Sequence, residues 1–499
     1  MAKEIIFNCT GYETRIAILD NRELVNLYVE RVDERSIAGN IYKGKVVRIV
    51  PGIQAAFVDI GIERTAFLYV ANACDQLSEN LDFCANGDDE PIEYTPGVPT
   101  RPMEDILKEG QEILVQISKE PLGTKGARVT THLSLPGRNL VLMPTSRHCG
   151  VSRRITDEEE RERLRETIER LRPEEYGFIA RTASEGKQEA DLKRDIDYLS
   201  TLWSTIREKE RRTGAPGLIH RELSMTLRAV RDLYTEDVER IVIDSEEEYR
   251  KTIEFIDRFM PHLHKSVDLY GETVPIFDHF GIEPDMTRIL HKKVWLKSGG
   301  YIVIEETEAL CAIDVNTGKY VGKKDMEETI LKTNLEAVKE IAHQLRIRNI
   351  GGIIIIDFID MEDEENREKV FQTLTEEMVK DKNRTNIQKI SPLGLIEMTR
   401  QRKGKSLEKL LCEPCLCCDG KGVLKSRASV CYEIFREIRR RMPGVEKKLS
   451  VLLNPDVADF LLEDEKGTLE KLERELNKKI VIKVMPDFHQ EYFEIVALG

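Results

Sequence analysis

The residues best suited to chemistry are two aspartates, each at the end of an apolar stretch. Asp314 lies in ALCAIDVNTG, and Asp357 ends the run GGIIIID. A helical segment separates them, so the pattern predicts strand, helix, strand, and a right-handed crossover makes such strands parallel neighbours in one sheet. Ligands of α/β sheets bind at the carboxyl ends of parallel strands. Because paired carboxylates are hard oxygen ligands that suit Mg²⁺, our first hypothesis is a metal-dependent reaction at phosphate.

Residues close to the two aspartates refine this hypothesis. Asn316 is two positions from Asp314 on the same predicted strand, so both side chains point to one face. Asp357 follows four isoleucines, where a buried carboxylate would be costly without a metal or a basic partner. The alternative is that both aspartates only cap turns or helices, as Asp commonly does. Three further acids are expected at a helix N-terminus rather than on a metal: Asp360, Glu362 and Asp363.

The segment between the two predicted strands has the period of a helix. Over residues 326–348, positions three or four apart form one face that can pack on a sheet: Ile330, Asn334, Val338, Ile341 and Leu345. The preceding GKYVGKKD (318–325) holds two glycines and three lysines without periodicity. We expect it to be a mobile loop beside the carboxylates.

Period-two alternation predicts β structure in the first quarter of the chain. Residues 1–36 favour two or three antiparallel strands with turns near Gly11–Tyr12 and Asn21, and the strand pattern continues through 38–70 and 111–120. A hydrophilic insert at 71–108 separates these last two stretches and is expected to be a flexible surface loop. The strand number predicts one five-stranded OB barrel that the insert interrupts.

Two aromatic residues of this barrel are candidates for nucleic-acid binding. Phe57 and Phe67 are preceded by Tyr42 and Lys43, and surface aromatics among basic residues suit the stacking of single-stranded bases. The alternation is equally compatible with both phenylalanines lying in the barrel core. The sequence leaves both interpretations open.

Two short segments have the composition of a phosphate-binding loop. Arg181–Thr182 follow the predicted strand YGFIA, and Lys125–Gly126 lie in the loop GTKG. Backbone N–H groups and a charged fork in such loops can hold a terminal phosphate.

Ten cysteines are present, six of them scattered and four within CEPCLCC. In a reducing cytosol this density favours metal binding over disulfides. The C-x-x-C pairs Cys412/Cys415 and Cys415/Cys418 are typical of zinc knuckles, but a closed zinc site needs four ligands. Either one chain supplies three or four thiolates, or two chains supply two each and zinc joins the subunits. A redox function is the remaining alternative.

The composition is that of an ordinary foldable protein, with 33% charged and 40% hydrophobic residues. At ~100–200 residues per domain, the length predicts roughly three to five domains. The longest plain apolar run, IGGIIII (350–356), is far below the ~18 residues of a membrane span. The N-terminus lacks the apolar block of a signal peptide, so we expect a cytoplasmic protein. The net charge of −14 argues neither for nor against nucleic-acid binding, because phosphate groups respond to local patches of charge.

These motifs together resemble the RNase E/G family. They follow the family's order along almost the whole chain, which makes the resemblance specific: KVVRIVPGIQAAFVDIG, VSRRI, ARTA, LIHRE, AIDVNTGK, TNLEAVKEIAHQLRIRNIGGIIIIDFIDM, GLIEMTRQR and C-x-x-C-x-G-x-G. The chain ends soon after the cysteine motif without a long disordered tail, which favours the shorter members of the family. The resemblance implies an endoribonuclease that cuts single-stranded AU-rich RNA, favours 5′-monophosphorylated substrates and leaves 5′-phosphate products. It also suggests roles in 16S ribosomal RNA 5′-end maturation and messenger RNA decay.

The resemblance also implies roles for individual residues. Asp314 and Asp357 match the catalytic Mg²⁺-binding aspartates, and Asn316 matches the asparagine that supports them. RNA binding by the S1 barrel is assigned to Phe57, Phe67 and Lys119. Sensing of a 5′-monophosphate is assigned to Arg181, Thr182 and Gly126. The structural Zn²⁺ would be shared between protomers of a homodimer or homotetramer by Cys415 and Cys418.

The fold implied by the resemblance is a multidomain α/β protein with an OB-type S1 barrel inserted near the N-terminus and a DNase I-like and RNase H-like α/β catalytic region. The expected divisions are an RNase H-like subdomain (1–37 and 213–278), the barrel (38–124), a 5′-sensor region (125–212), a DNase I-like catalytic subdomain (279–400), a zinc-link (401–425) and a small C-terminal α/β domain (426–499).

Two departures from the family pattern leave residue assignments open. A further sensor arginine is expected just before NIQKIS, where this chain has Asn386, with Arg384 two residues earlier. Cys412 and Cys417 are additional thiols that could also bind zinc. A different class of function, a non-catalytic RNA-binding or assembly factor built on the barrel, is the second hypothesis; a buried Asp357 would argue against it.

Overall fold

A computed structural model describes residues 3–32, 35–73, 101–121, 125–234, 237–260, 264, 266–318, 326–381, 383–391, 393–402, 404–441, 448–477 and 479–498. The chain divides into two units, Met1–Glu408 and Lys409–Gly499. Each unit is described by itself.

The first unit combines several sheets with helices packed on them. Its strands are β1 (Lys3–Cys9), β2 (Glu13–Asp20), β3 (Glu23–Arg31), β4 (Ile41–Val50), β5 (Ala55–Asp59), β6 (Ala66–Tyr69), β7 (Glu112–Lys119), β8 (Arg128–Thr130), β9 (Leu135–Pro136), β10 (Leu140–Met143), β11 (Cys149–Val151), β12 (Gly177–Ala180), β13 (Gly217–His220), β14 (Val238–Ile243), β15 (Val267–Leu269), β16 (Lys293–Trp295), β17 (Tyr301–Glu306), β18 (Leu310–Asn316), β19 (Gly352–Asp357), β20 (Thr385–Ile387) and β21 (Leu395–Arg400). Its helices are α1 (Met103–Ile106), α2 (Glu158–Leu171), α3 (Glu189–Arg212), α4 (Met225–Leu233), α5 (Glu246–Phe259), α6 (Ile276–His279), α7 (Glu283–Ile289), α8 (Met326–Ile347) and α9 (Glu364–Val379). A short helix, α10 (Leu407–Leu411), spans the boundary between the units.

The first sheet has the strand order β15-β14-β1-β2-β3, so the N-terminal hairpins pair with strands far along the chain. β1, β2 and β3 are antiparallel, as the alternation predicted, whereas β1 and β14 are parallel. The β2–β3 turn occurs at Asn21 and Arg22, both with positive φ. The predicted turn at Asn21 is therefore confirmed, and an exposed asparagine tolerates this left-handed backbone well.

The predicted barrel is a closed five-stranded structure near the N-terminus. Strands β4, β5, β6, β8 and β7 pair in that order, and pairing of β7 with β4 closes the cylinder. β13 extends the edge of β4 beyond the end of β5. The barrel core alternates with outward-facing positions along every strand, as a small OB-type barrel requires.

The insert prediction falls mainly on residues 74–100, which lie outside the described residues. The described ends of the insert are not a surface loop. Ala73, Met103 and Leu107 are buried in the barrel core, and Gln54 Oε1 accepts a hydrogen bond from the backbone N–H of Met103 at 2.9 Å. The hydrophilic composition of the whole segment concealed these apolar anchors.

A second small sheet, β11-β12-β10-β9, packs against α2 and α3. The strand expected at YGFIA is present as β12. Trp203 of α3 is 6% exposed and contributes to the shared core. Arg181 directly follows β12 of this sheet.

The sheet that carries the two aspartates has the order β16-β17-β18-β19-β21-β20. β18 and β19 are parallel neighbours joined by α8, which confirms the predicted strand–helix–strand unit. The five helix positions predicted to face the sheet are all buried: Ile330, Asn334, Val338, Ile341 and Leu345. They cover one face of the sheet, so the opposite face is left for chemistry.

The second unit is a three-stranded α/β layer. Its elements are α11 (Arg427–Arg441), β22 (Lys448–Leu453), α12 (Pro455–Glu463), α13 (Lys466–Leu476), β23 (Lys479–Val484) and β24 (Phe493–Leu498), with the strand order β23-β22-β24. Apolar residues of the three helices and of the sheet form one core. The multidomain α/β architecture expected from the sequence is thus present.

Candidate active site and RNA-binding surfaces

Asp314 and Asp357 are directly opposite each other on the parallel strands β18 and β19. Residues paired in this way share a face of the sheet, so the two carboxylates are neighbours on the face that α8 leaves uncovered. Asn316 lies on the same face, as its spacing predicted, and its Nδ2 donates a hydrogen bond to Asp314 Oδ2 at 2.7 Å. Asp314 lies within β18 and Asp357 at the end of β19, and the N-cap of α9 is Asp363 rather than Asp357.

The predicted burial of Asp357 is also wrong. Its carboxylate is exposed, because the buried isoleucines Ile354 and Ile356 alternate with residues on the open face. Partial desolvation, followed by the charges of Asp314 and Asp360, raises the pKa of Asp357. Burial therefore does not argue against a purely RNA-binding protein. The notable property of this site is instead the mutual repulsion of adjacent exposed carboxylates.

The donor set fits a hard divalent cation. Two carboxylates repel each other on one open sheet face, and a bound cation would remove that repulsion. Within the part of the chain that the structure describes, no group of three or more His, Cys, Asp or Glu side chains has the arrangement of a metal site. A magnesium ion held by the two aspartates would therefore take its other ligands from water and from phosphate, as Mg²⁺ commonly does.

The neighbouring polar residues have mainly structural functions. Asp363 is the N-cap of α9 and accepts a hydrogen bond from the N–H of Glu365 at 2.9 Å, which confirms the prediction of a helix-terminal acid. Asn334 of α8 is fully buried and bonds both backbone groups of Ile359, two residues after Asp357. The segment that follows β19 is thereby tied to α8. The expected mobile loop at 318–325 falls, from residue 319 onward, outside the described residues.

Phe57 and Phe67 lie on the outer face of the barrel, which excludes the alternative that both are core residues. They are opposite each other on β5 and β6, half-buried, with ring centroids 5.6 Å apart. Strand pairing extends this row across the barrel in the order Arg48, Phe57, Phe67, Arg128 and Lys119. We call these five residues the barrel row.

The barrel row brings Lys119 into line with the two phenylalanines and adds residues that the sequence prediction missed. Tyr69 packs on Phe67 with centroids 4.7 Å apart, and the Arg128 guanidinium lies 5.1 Å from the Tyr69 ring centroid. Strand alternation relative to Phe67 would have identified Tyr69, whereas Arg48 and Arg128 become neighbours of the phenylalanines only through strand pairing. Aromatic rings between cations are the features of a surface that binds single-stranded nucleic acid.

The structure places the proposed sensor residues in two different elements. Arg181 is 4% exposed, and its guanidinium pairs with Asp232 at 2.8 Å and donates to the carbonyl of Gly137 at 2.6 Å. Thr182 Oγ1 is 3.2 Å from the hydroxyl of Ser152. Gly126 belongs to the barrel, where a Cβ would come within 2.2 Å of the carbonyl oxygen of Thr65.

The region around Arg181 is a buried charged network. Asp232 also pairs with Arg231, which in turn contacts Glu222 at 2.9 Å. Asp195 accepts hydrogen bonds from the N–H groups of Asn139 and Leu140, yet its burial raises the pKa of its carboxyl to about 6. Arg384, the candidate for the additional sensor residue, is exposed and precedes β20.

The cysteine cluster of the second unit has the local geometry of a metal knuckle. Hydrogen bonds from the backbone N–H groups of Cys418 and Cys417, then the side chain of Cys418, lower the pKa of Cys415. The N–H of Gly422 donates to the sulfur of Cys418 at 3.2 Å. Positive φ angles at Gly420 and Gly422 make this turn possible.

The two additional thiols differ from this pair. Cys417 Sγ is 3.8 Å from Nε2 of His489, and Cys412 is exposed at the start of the segment. Stabilised thiolates are the form in which cysteine binds zinc. The pair Cys415 and Cys418 therefore fits a zinc knuckle that needs two more ligands.

Comparison with known proteins identifies the family of the chain. The model of the "Ribonuclease E/G family" matches residues 134–403, and that of the "RNase E/G, Thioredoxin-like domain" matches residues 414–498. The chain is 43% identical to Ribonuclease G of Haemophilus influenzae, with all of both chains covered. The chain belongs to the ribonuclease E/G family. It is thus an endoribonuclease, and the hypothesis of a non-catalytic RNA-binding factor is wrong.

Relatives within the family differ in how much of their length is shared. Ribonuclease G of Escherichia coli (strain K12) is 41% identical over 100% of both chains. Ribonuclease E of the same strain is 37% identical over 94% of this chain but only 44% of its own length. The expected similarity to the shorter family members is confirmed.

None of the described helices is both long and apolar enough for a membrane span.

Proposed function

We propose that this endoribonuclease cuts single-stranded, AU-rich RNA at Asp314 and Asp357 with the help of Mg²⁺, favours 5′-monophosphorylated substrates and leaves a 5′-phosphate on the downstream product. The observation that carries the proposal is the direct pairing of the two exposed carboxylates across β18 and β19. Adjacent like charges destabilise this sheet face, as the raised pKa of Asp357 indicates. A bound cation would offset this repulsion between the carboxylates and could also bind the scissile phosphate.

The cleavage step is a hydrolysis. Bound Mg²⁺ would lower the pKa of a water and neutralise charge on the scissile phosphate. Asp314 and Asp357 would hold the ion, and the hydrogen bond from Asn316 would keep the Asp314 carboxylate in one orientation. The water oxygen bonds to phosphorus, the bond from phosphorus to the 3′ oxygen breaks, and that oxygen receives a proton. The phosphate then remains on the 5′ end of the downstream fragment.

The barrel row would hold the RNA strand. Phe57 and Phe67 offer partly exposed rings for stacking, and Lys119 and Arg128 supply positive charge on adjacent strands. Stacking is tolerant of sequence because every base has an aromatic face. This agrees with a preference for unpaired RNA, since a duplex hides the faces of its bases.

We propose Arg181, Thr182 and Gly126 as a 5′-monophosphate sensor on the basis of the family resemblance. A terminal phosphate that binds Arg181 would have to compete with the carboxylate of Asp232, which holds the guanidinium at 2.8 Å. Engagement of the 5′ end would raise the occupancy of the catalytic site through effective concentration. Equal cleavage rates for matched 5′-monophosphate and 5′-hydroxyl substrates would contradict the sensor.

We further propose that Cys415 and Cys418 bind a structural Zn²⁺ together with the same pair from a second chain, to give a homodimer or homotetramer. The lowered pKa of Cys415 and the N–H donor to Cys418 support this pair over Cys412. Zinc with four thiolates completes a tetrahedral structural site.

The regional assignments also remain proposals. We assign an RNase H-like character to the first sheet with its helices and a DNase I-like character to the sheet of Asp314 and Asp357. In the cell, we propose substrates among 16S ribosomal RNA precursors and messenger RNA, on the basis of the family alone.

A direct experiment tests the reaction. A single-stranded AU-rich oligonucleotide with a 5′-monophosphate is incubated with the full-length protein in Mg²⁺ and, separately, in EDTA. We expect cleavage only with Mg²⁺, and products whose downstream fragments are ligatable through a 5′-phosphate. Cleavage in EDTA, or downstream products with a 5′-hydroxyl, would contradict the proposed mechanism.

A further inference from the structure

Trp295 is an exposed aromatic residue on the sheet that carries Asp314 and Asp357. It is 63% exposed, whereas the other tryptophan of the chain, Trp203, is 6% exposed in a core. A tryptophan usually buries most of its ring. So large an exposed ring on a sheet face therefore indicates a binding surface.

Strand pairing places Trp295 on the catalytic face. Trp295 is opposite Tyr301 in the β16–β17 pair, and Tyr301 is opposite Asn316 in the β17–β18 pair. Directly opposed residues share a face, and Asn316 shares its face with Asp314. The alternate positions of these strands, such as Ile302 and Val315, are buried under α8 on the other side.

The two rings and a lysine form one small surface. The ring centroids of Trp295 and Tyr301 are 5.3 Å apart at an angle of 64°. Nζ of Lys293 lies 4.2 Å from the Trp295 centroid and 3.5 Å from that of Tyr301. An aromatic ring with an adjacent cation is suited to a base on a negatively charged chain.

We propose that Trp295 and Tyr301, together with Lys293, form a stacking site for one base of the single-stranded RNA substrate close to the scissile phosphate. This inference rests on the proposed cleavage at Asp314 and Asp357. Trp295 is two strands away from Asn316, a distance of ~10 Å at the usual strand spacing. A nucleotide next to the scissile bond can span this distance.

Electrostatics support RNA as the occupant. The carboxylates of Asp314, Asp357 and Asp360 repel the phosphates of an approaching strand. Binding energy close to the reaction must therefore come from groups beside them, and Lys293 is positively charged on the same face. The stacking site would hold the RNA strand close to the three carboxylates. Lys293 is on β16, two strands away from β18, so its ammonium group would not compete with a metal ion for Asp314.

The first test compares Trp295→Ala with the native protein on a single-stranded substrate. Loss of one stacked base predicts a rise in KM of roughly 5- to 150-fold with little change in kcat. Trp295→Phe keeps an aromatic face and should retain most of the affinity. Tyr12→Ala removes an exposed aromatic from the β1–β2 turn and serves as the matched control, with KM unchanged.

A second readout does not depend on cleavage. In EDTA, a single-stranded oligonucleotide should quench the fluorescence of Trp295, and the quenching should disappear in Trp295→Phe. Substrates that lack one base at successive positions around the cut identify the stacked nucleotide. Loss of that base should raise KM for the native protein but cause no further rise in Trp295→Ala.

Several outcomes would overturn the stacking site. An unchanged KM in Trp295→Ala, or additive effects of the mutation at every missing base, would exclude it. A lower oligomeric mass of Trp295→Ala in light scattering would instead identify the surface as a contact between copies of the chain. If Asp314→Asn still cleaves, the proposed catalytic function fails, whereas inactive Asp314→Asn with normal KM in Trp295→Ala excludes the stacking site alone.

Discussion

Replacement of Asp314 by Asn should abolish cleavage while making the metal-free protein slightly more stable. Both carboxylates are exposed and directly opposed, so the substitution leaves the hydrophobic core intact and removes one of two repelling charges. Two unit charges ~5 Å apart, the spacing of neighbouring strands, repel each other by about 0.8 kcal/mol in water. For a domain of this size, that energy corresponds to a rise of roughly 2 °C in Tm.

The pH dependence of this gain follows from the raised pKa of Asp357. Above that pKa Asp357 is charged, so the native protein carries the repulsion and the Asn variant does not. As the pH falls through that pKa, Asp357 is protonated, the repulsion disappears, and the Tm difference should vanish. Added salt should reduce the gain as well, because the site is open to solvent.

The assay pairs thermal unfolding with cleavage. In EDTA at neutral pH and low salt, Asp314→Asn should unfold at a higher temperature than the native protein, and Mg²⁺ should stabilise only the native protein. Cleavage should fall by at least ~10³-fold, since the ion contributes several kcal/mol to the transition state. RNA affinity in EDTA should not fall. Asp268→Asn, an exposed strand aspartate of β15, is the control.

Either of two results would refute this reasoning. A clear destabilisation of Asp314→Asn in EDTA would show that the carboxylate has a structural function in the sheet. Substantial residual cleavage would show that the two aspartates do not form the catalytic centre.

Three further predictions concern stability and assembly. Asp381→Asn should destabilise the sheet that contains β21 by about 3–5 kcal/mol, because it leaves Arg400 buried without its carboxylate partner at 2.7 Å. Urea unfolding measures this loss, and a value below ~1 kcal/mol would contradict the prediction. Asp195→Asn should raise Tm relative to the native protein increasingly between about pH 4 and pH 6 and by a constant amount above that, because the carboxyl is ionised in the unfolded chain over this range while its pKa of about 6 keeps it protonated in the folded protein. A pH-independent difference would exclude this origin. Cys415→Ser should release zinc and lower the oligomeric mass in light scattering, whereas Cys412→Ser should do neither.

Local patterns were sufficient to predict the elements that carry Asp314 and Asp357. The isoleucine run before Asp357 and the helical period of α8 depend only on nearby residues, and both are present where expected. The same run misled the prediction of burial. Four consecutive apolar residues suggest a strand covered on both faces, yet Ile353 is 51% exposed, because α8 covers only one face.

Surfaces built from several strands could not be predicted in the same way. The barrel row and the Trp295 site depend on register between strands that are distant in sequence, and no local pattern records that register. The partner of Arg181 is a comparable case. Asp232 lies about fifty residues further along the chain, and its ion pair with Arg181 exists only because the two segments pack together.

The sequence by itself determined the candidate chemistry: two carboxylates after apolar strands, aromatics on a small barrel and a cysteine pair with zinc-knuckle spacing. These features could be predicted because residue type and short spacing determine which ligands and which secondary structures are available. Only the tertiary structure decided that Asp314 and Asp357 are direct neighbours on an open face, that Phe57 and Phe67 point outward, and that Arg181 is buried. The physical reason is that strand register and burial are set by long-range packing, in which each strand's environment depends on residues far away in the chain.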